Sequence, residues 1–338
     1  MTQIKIFALF IVVALSVLVV APKKAYAAAK IKIGFVLSTF QEERYQKDQR
    51  YFIEEAKKLG FEAIVVSADN NAQTQTAKVE NLLSQGVKAL VIQPVNSEAA
   101  GNLVRLAHED KVPVVAYDRL IKNSDVDFYV TQNSFAVGVI QAEAAVKATG
   151  GKGNYVLLMG QAGHSVANEI TRGVESVLKK YPNIKVVMKR NHNAWSPQEA
   201  LATVENALTQ NKNNIQAILA NNSGMAHGAI QALAEQKLIG KVFVAGADAD
   251  LASIKDVVAE PQRQQFEVLK DIAPLAQKSA DVAFKLAQGL KVEGDSTVDN
   301  GKNKVPTINT PVYGITKENV DERIIKTGFH THQAVFGN

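Results

Sequence analysis

The side chains best suited to chemistry stand just past the apolar runs of the chain. They are Arg44-Tyr45, Asp118-Arg119, Asn133, Trp195, Asn222-Ser223, Asp248-Ala249-Asp250 and Lys270. In an open parallel sheet, loops and helix N-termini converge at the carboxyl ends of the strands, so polar groups there face a common ligand. Planar arginine, aspartate and carboxamide groups exchange paired hydrogen bonds with neighbouring hydroxyls. The single tryptophan of the chain offers an aromatic face to the C–H side of a sugar ring. Simpler roles remain open for each residue. Asp118-Arg119 also reads as a surface ion pair, and Asp248, Asp250 and Asn222 as helix N-caps. Trp195 also reads as core, and Arg44, Tyr45 and Lys270 as ordinary surface residues.

Catalytic patterns are weak. No GxxxxGK[ST], GxGxxG or GxSxG motif occurs. Gly160-Gln161-Ala162-Gly163-His164-Ser165 is the nearest glycine loop, and it lacks the lysine a phosphate loop needs. His330-Thr331-His332 supplies two metal-ligand types without a third and reads as an exposed tail, while His108, His164, His192 and His227 show no partner spacing. A hydrolase would require a carboxylate pair across a cleft; Asp118 and Asp248 are the one candidate, with basic neighbours that oppose a raised-pKa acid. The expectation is a binding protein rather than an enzyme, with no cofactor and no metal.

The elements that hold these residues alternate. Strand patterns at 31–37, 61–66, 89–92 and 112–117 are separated by amphipathic stretches near 42–58, 73–84 and 98–109. The order resumes with strands near 155–158, 185–188, 217–220 and 242–245. Short strands that are apolar throughout, set between helices, indicate parallel sheets covered on both faces, so the fold class is α/β. Val79-Glu80-Asn81-Leu82-Leu83-Ser84-Gln85 is echoed by Val204-Glu205-Asn206-Ala207-Leu208-Thr209-Gln210, which favours two similar doubly wound lobes. Beyond Lys270 come a helix near 274–288, an irregular stretch at 289–304, a strand near 311–313 and a helix near 317–326. That tail is too small for a domain and fits segments that cross between the lobes.

The first residues address the chain for export. Lys5 precedes an apolar run from Ile6 to Ala21, and Ala25-Tyr26-Ala27 matches a signal-peptidase site, so residues 1–27 are predicted to be a cleavable leader. The run is short of the ~20 residues a spanning helix needs. The chain has no cysteine, which excludes a lipid-modified cysteine, disulfides and thiolate metal sites and favours a soluble periplasmic protein. Three positive charges, Lys5, Lys23 and Lys24, leave with the leader, so the formal charge falls from +5 to about +2. No basic cluster remains to suggest nucleic acid.

Glu43-Arg44-Tyr45-Gln46-Lys47-Asp48, Val91-Ile92-Gln93-Pro94, Ala116-Tyr117-Asp118-Arg119, Gly228-Ala229-Ile230-Gln231-Ala232-Leu233 and Asp248-Ala249-Asp250-Leu251-Ala252-Ser253 together resemble the periplasmic D-xylose-binding proteins of ABC sugar importers. The likeness covers nearly the whole mature chain. It implies a periplasmic binding protein of type I, with two lobes joined by a three-segment hinge. The lobes would be residues 28–133 with 272–308, and 134–271 with 309–338. It further implies a monosaccharide in the cleft, a pentose such as D-xylose, delivered to the membrane subunits of an ABC permease. Presentation of the closed form to a chemoreceptor or histidine kinase is the alternative partnership. Arg44, Asp118, Arg119, Trp195, Asn222, Asp248 and Lys270 match sugar-contacting positions of the family, and Tyr45 stands where the family commonly has Trp. Asn133-Ser134 replaces the family's Asp-Asn, Ser223 follows Asn222 in place of Asp, and Ser165-Val166-Ala167-Asn168 replaces Asp-Asn-Asn-Ala. Hydroxyl selectivity is therefore expected to differ.

Overall fold

The computed structural model describes residues 30–337; the predicted leader, 1–27, lies outside the described residues. From Lys32 the chain alternates strand and helix: β1 (Lys32–Leu37), α1 (Glu43–Leu59), β2 (Glu62–Ser67), α2 (Ala72–Ser84), β3 (Ala89–Ile92), α3 (Gly101–Glu109), β4 (Val114–Tyr117) and β5 (Phe128–Gln132). A second series follows: α4 (Ser134–Thr149), β6 (Gly153–Met159), α5 (Ser165–Leu178), β7 (Ile184–Asn191), α6 (Pro197–Gln210), β8 (Ala217–Ala220), α7 (Ser223–Glu235), β9 (Phe243–Ala247), α8 (Leu251–Val258) and β10 (Phe266–Lys270). The tail supplies α9 (Ile272–Ala287), β11 (Ser296–Asp299), β12 (Lys304–Thr310), β13 (Val312–Ile315) and α10 (His332–Phe336).

These strands form two sheets, ordered β11-β12-β5-β4-β3-β1-β2 and β13-β10-β9-β8-β6-β7. The first five strands of each half adopt one winding, with the first strand of the half between its second and third. Each sheet therefore reverses direction beside that strand, at β1/β3 and at β6/β8, where loops splay apart and leave a crevice. Strands β3, β4 and β8 are buried at every position, as expected of strands covered by helices on both faces. Among the described residues, antiparallel pairing is confined to β11 on β12 and β13 on β10. The chain is thus α/β, with two doubly wound lobes.

The chain passes between the sheets three times, after β5, after β10 and between β12 and β13. Helix α4 packs on α5, and α9 on α1. The third crossing lies two residues later than the sequence boundary at 308/309, because Asn309 and Thr310 continue β12 in register with Thr131 and Gln132. The stretch 289–304 is not irregular throughout, since Ser296–Asp299 pairs with β12 as an edge hairpin. The expected last helix is a 3-10 turn at Lys317–Asn319 followed by a π-helical turn at Asp321–Ile325.

Two glycines let α4 and α5 meet backbone to backbone. A Cβ on Gly138 would lie 1.9 Å from the Ile170 carbonyl oxygen, and one on Gly173 would lie 2.1 Å from that of Phe135. Backbone cannot swing aside as a side chain does, so Gly138→Val is expected to destabilise the protein by about 3 kcal/mol, the upper end of ordinary overpacking. Urea unfolding followed by circular dichroism measures this; an unchanged midpoint would show that the helix pair can separate freely.

Candidate functional site

The first turn of α1, which follows β1, carries Arg44 and Tyr45 into the space between the sheets. Arg44 is 3% exposed. Its guanidinium lies 3.4 Å from Asp48, 3.7 Å from Asp118 and 3.5 Å from Asp248. The first two carboxylates belong to its own lobe and the third to the other, so Arg44 bridges the lobes. The Tyr45 hydroxyl accepts from Arg119 Nη2 at 2.9 Å. Gln93, at the end of β3, donates to Asp118 Oδ2 at 3.0 Å and is oriented by Ser38, whose hydroxyl donates to its Oε1 at 2.8 Å. The Tyr117 hydroxyl donates a hydrogen bond to Asp48 from behind.

The second lobe contributes Trp195, Asp248 and Lys270. Trp195 closes a 3-10 turn at Asn193–Trp195 and packs its ring on Gly160, where a Cβ would stand 2.5 Å from the indole. Lys270 Nζ lies 3.1 Å from Asp248 Oδ1. Glu267, three residues before Lys270 on β10, accepts from the Ala249 amide at 3.0 Å and the Ser223 hydroxyl at 2.9 Å, and also binds Gln264. It thereby fixes the turn that aims Asp248.

Backbone strain gathers at these loops. Asp118, Trp195, Asp248 and Ala249 have φ of 60°, 58°, 102° and 59°, values that side-chain-bearing residues rarely adopt. Asp118 sits in a three-residue turn closed by the Arg119 amide on the Tyr117 carbonyl. Such conformations persist only where the surroundings over-determine them, and they cluster at ligand sites.

Arg44, Tyr45, Asp118, Arg119, Trp195, Asp248 and Lys270 line one small chamber, joined by Glu42, His164 and Val166, with a cavity volume of about 10 Å³. Three cations face Asp118 and Asp248, with Asp48 behind Arg44. Burial pushes the Asp118 carboxyl up, but Arg44, Lys270 and Arg119 outweigh it and hold the group well below the usual carboxylate range. Burial pushes Glu42 up against the pull of Arg119, and Asp48 up against that of Arg44. Burial, aided by Arg119, drives His164 far down, so its imidazole is neutral. Charge is nearly compensated within the walls, which suits an uncharged ligand.

Polar atoms in the chamber are left over. Arg44 Nη2, Asp118 Oδ1, Arg119 Nε, both His164 nitrogens and Trp195 Nε1 are buried without a hydrogen-bond partner. They are six of the ten such side-chain atoms among the described residues. Buried polar groups are almost always paired. All six atoms lie on five side chains that line this chamber, with donors and an acceptor side by side, the pattern a polyhydroxylated molecule completes.

Two expected members stand elsewhere. Asn133 is exposed; its Oδ1 caps α4 by accepting from the Ala136 amide, and it borders a larger groove of about 850 Å³. Asn222 caps α7 by accepting from the Met225 amide and does not line the chamber. Both follow strands as expected, but helix capping claims their side chains. Asp250 occupies the N-cap position of α8 without a side-chain cap bond. His330, expected in an exposed tail, is 7% exposed and bonds the Ala249 carbonyl at 2.8 Å.

Sequence reasoning missed Glu42, His164, Val166 and the supporting Glu267. An acidic residue inside the apolar run Phe266-Glu267-Val268-Leu269 was the available signal for the last. Burial pushes its carboxyl up to about 8, against the Ala249, Ser223 and Gln264 bonds. Because the folded value exceeds the unfolded one near 4.5, the folded protein holds this proton, and the associated stability is lost as pH rises through about 8. Glu267→Gln is therefore expected to gain stability relative to the native protein as pH goes from about 5 to about 8. The buried histidines act in the opposite direction but equally in both proteins, so they cancel. Urea unfolding at several pH values reads the difference; a constant difference would mean that Glu267 is ionised in the fold.

Comparison with known proteins places this geometry. A periplasmic binding protein domain model matches residues 33–291. The chain is 40% identical over 307 residues to a D-xylose-binding periplasmic protein of Escherichia coli, covering 90% of this chain and 92% of the relative. It is 30% identical to a multiple sugar-binding periplasmic receptor of Rhizobium radiobacter, with 92% and 93% covered. Among solved structures it is similar to a carbohydrate transporter solute-binding protein of Chloroflexus aurantiacus in complex with D-glucose, at 29% identity and TM-score 0.83, covering 89% of this chain and 97% of that one.

Proposed function

The chain belongs to the periplasmic binding protein family, and we propose that it captures one neutral monosaccharide between its lobes, D-xylose or a related pentose, for an ABC importer. The observation that carries this reading is the set of buried donors and acceptors without a hydrogen bond in a charge-compensated chamber, two of which, Arg44 Nη2 and Asp118 Oδ1, meet only as a 3.7 Å ion pair. Arg44 and Arg119 donate to ring or hydroxyl oxygens, Asp118 and Asp248 accept hydroxyl protons, and Lys270 donates beside Asp248. Tyr45 and Trp195 cover the ring from the first and second lobe. No bond is made or broken.

The two bodies that move are the sheets with their helices, hinged at the three crossings near 133, 271 and 311. Opening parts Arg44 from Asp248 and the Glu43 carboxylate from the Leu251 amide, now 2.9 Å apart. A ligand that bonds both lobes adds to these contacts and shifts the population to the closed form, which a permease distinguishes by the spacing of the lobe surfaces. The leader at 1–27 delivers the chain to the periplasm. The receptor named among the relatives favours a second use, presentation of the closed form to a sensor; loss of sugar-induced signalling without loss of uptake in a deletion strain would select it.

Calorimetry with a panel of pentoses and hexoses, on protein freed of ligand by unfolding and refolding, tests the reading. One site per chain with a pentose supports it; no heat from any sugar overturns it.

A further inference from the structure

The wall at 164–166 is the part of the chamber that differs most in kind from the rest. Val166, 3% exposed, is the one aliphatic side chain among the chamber's lining residues. It also borders the larger groove, so it partitions the two spaces. His164, 5% exposed, stands edge-on to Trp195 at 4.9 Å, with both ring nitrogens unpartnered. Between them Ser165 Oγ accepts from the Leu120 amide at 3.1 Å and from Ser97 Oγ at 3.3 Å. Both donors belong to the first lobe, so this wall takes its place against the chamber when the lobes meet.

The chemistry of the wall is divided. A hydroxyl pressed on Val166 in a dry chamber has lost its water and gains no partner, whereas a ring C–H loses nothing there. A neutral imidazole offers one donor and one acceptor and matches a hydroxyl that does both. We propose that Val166 and His164 select among monosaccharides: Val166 faces the edge of the ring that bears no hydroxyl or hydroxymethyl group, and His164 bonds the hydroxyl beside it. The favoured class is a pentopyranose or deoxy sugar over the hexopyranose that adds one hydroxymethyl. This rests on the sugar reading of the chamber.

D-xylose and D-glucose, which differ by that hydroxymethyl alone, are titrated calorimetrically into the native protein, Val166→Thr, Val166→Ala, His164→Ala and His164→Asn. The native protein is expected to prefer xylose by at least about 10-fold, in the range a single carbon changes pocket binding. Val166→Thr, nearly isosteric but with a hydroxyl, and Val166→Ala, with more room, both narrow that ratio. His164→Ala weakens xylose by about 10-fold and His164→Asn restores part of it, as loss and partial return of one ligand hydrogen bond require. A ratio unchanged in both Val166 variants, or native affinity in His164→Ala, overturns the assignment while leaving the sugar reading intact. No binding of either sugar by the native protein overturns the assignment, and the sugar reading falls with it only if the other pentoses and hexoses of the panel also give no heat.

Discussion

Arg44→Ala is expected to abolish measurable sugar binding and to lower stability by about 3–5 kcal/mol, the cost of removing one partner of a buried ion pair. Arg44 is 3% exposed and stands within 4 Å of Asp48, Asp118 and Asp248. Its removal leaves buried carboxylates facing one another with Lys270 and Arg119 as the remaining cations. It also deletes the ion pair between α1 and the β9–α8 turn, so the closed form loses a contact as well as a ligand donor. Arg44→Lys keeps the charge but not the fork that reaches three acceptors, and an intermediate loss is expected. Calorimetry and urea unfolding read the two effects; native affinity in Arg44→Ala would remove Arg44 from the site.

Trp195→Ala is expected to weaken binding by about 1–3 kcal/mol, the value of one large apolar face covered by ligand, with the fold retained. Gly160→Ala supplies an independent check, because it leaves the indole in the chain but drives it from its seat. The added methyl would stand 2.5 Å from the ring, and affinity is expected to fall without loss of any ligand-contacting atom. If both variants bind as the native protein does, Trp195 serves the second lobe's core, to which it also belongs.

The strand-end rule found most of the chamber, because a short apolar run in an α/β chain marks the strand and the next polar residue marks its carboxyl end. Arg44, Asp118, Trp195, Asp248 and Lys270 were legible on that ground. Asn133 and Asn222 satisfy the same rule, and only the helix behind each shows that its carboxamide caps an amide instead. Val166 was illegible because an apolar residue at the start of a helix looks like core. His164 was illegible because its neighbour Trp195 lies some thirty positions away and meets it only through the turn after β7. The β11–β12 hairpin escaped notice because its strands, at a sheet edge, carry Ser, Thr, Asp, Lys and Asn in place of an apolar run.

Trp195 is the sole tryptophan of the chain and lines the chamber, which makes its own fluorescence the most direct probe of a neutral sugar held between the lobes. Titration of the ligand-free protein with D-xylose and related pentoses is expected to shift or quench the emission saturably. The signal should complete at one sugar per chain and should be absent in response to a charged sugar acid at the same concentration. Emission unchanged by every neutral monosaccharide of the panel would contradict the account.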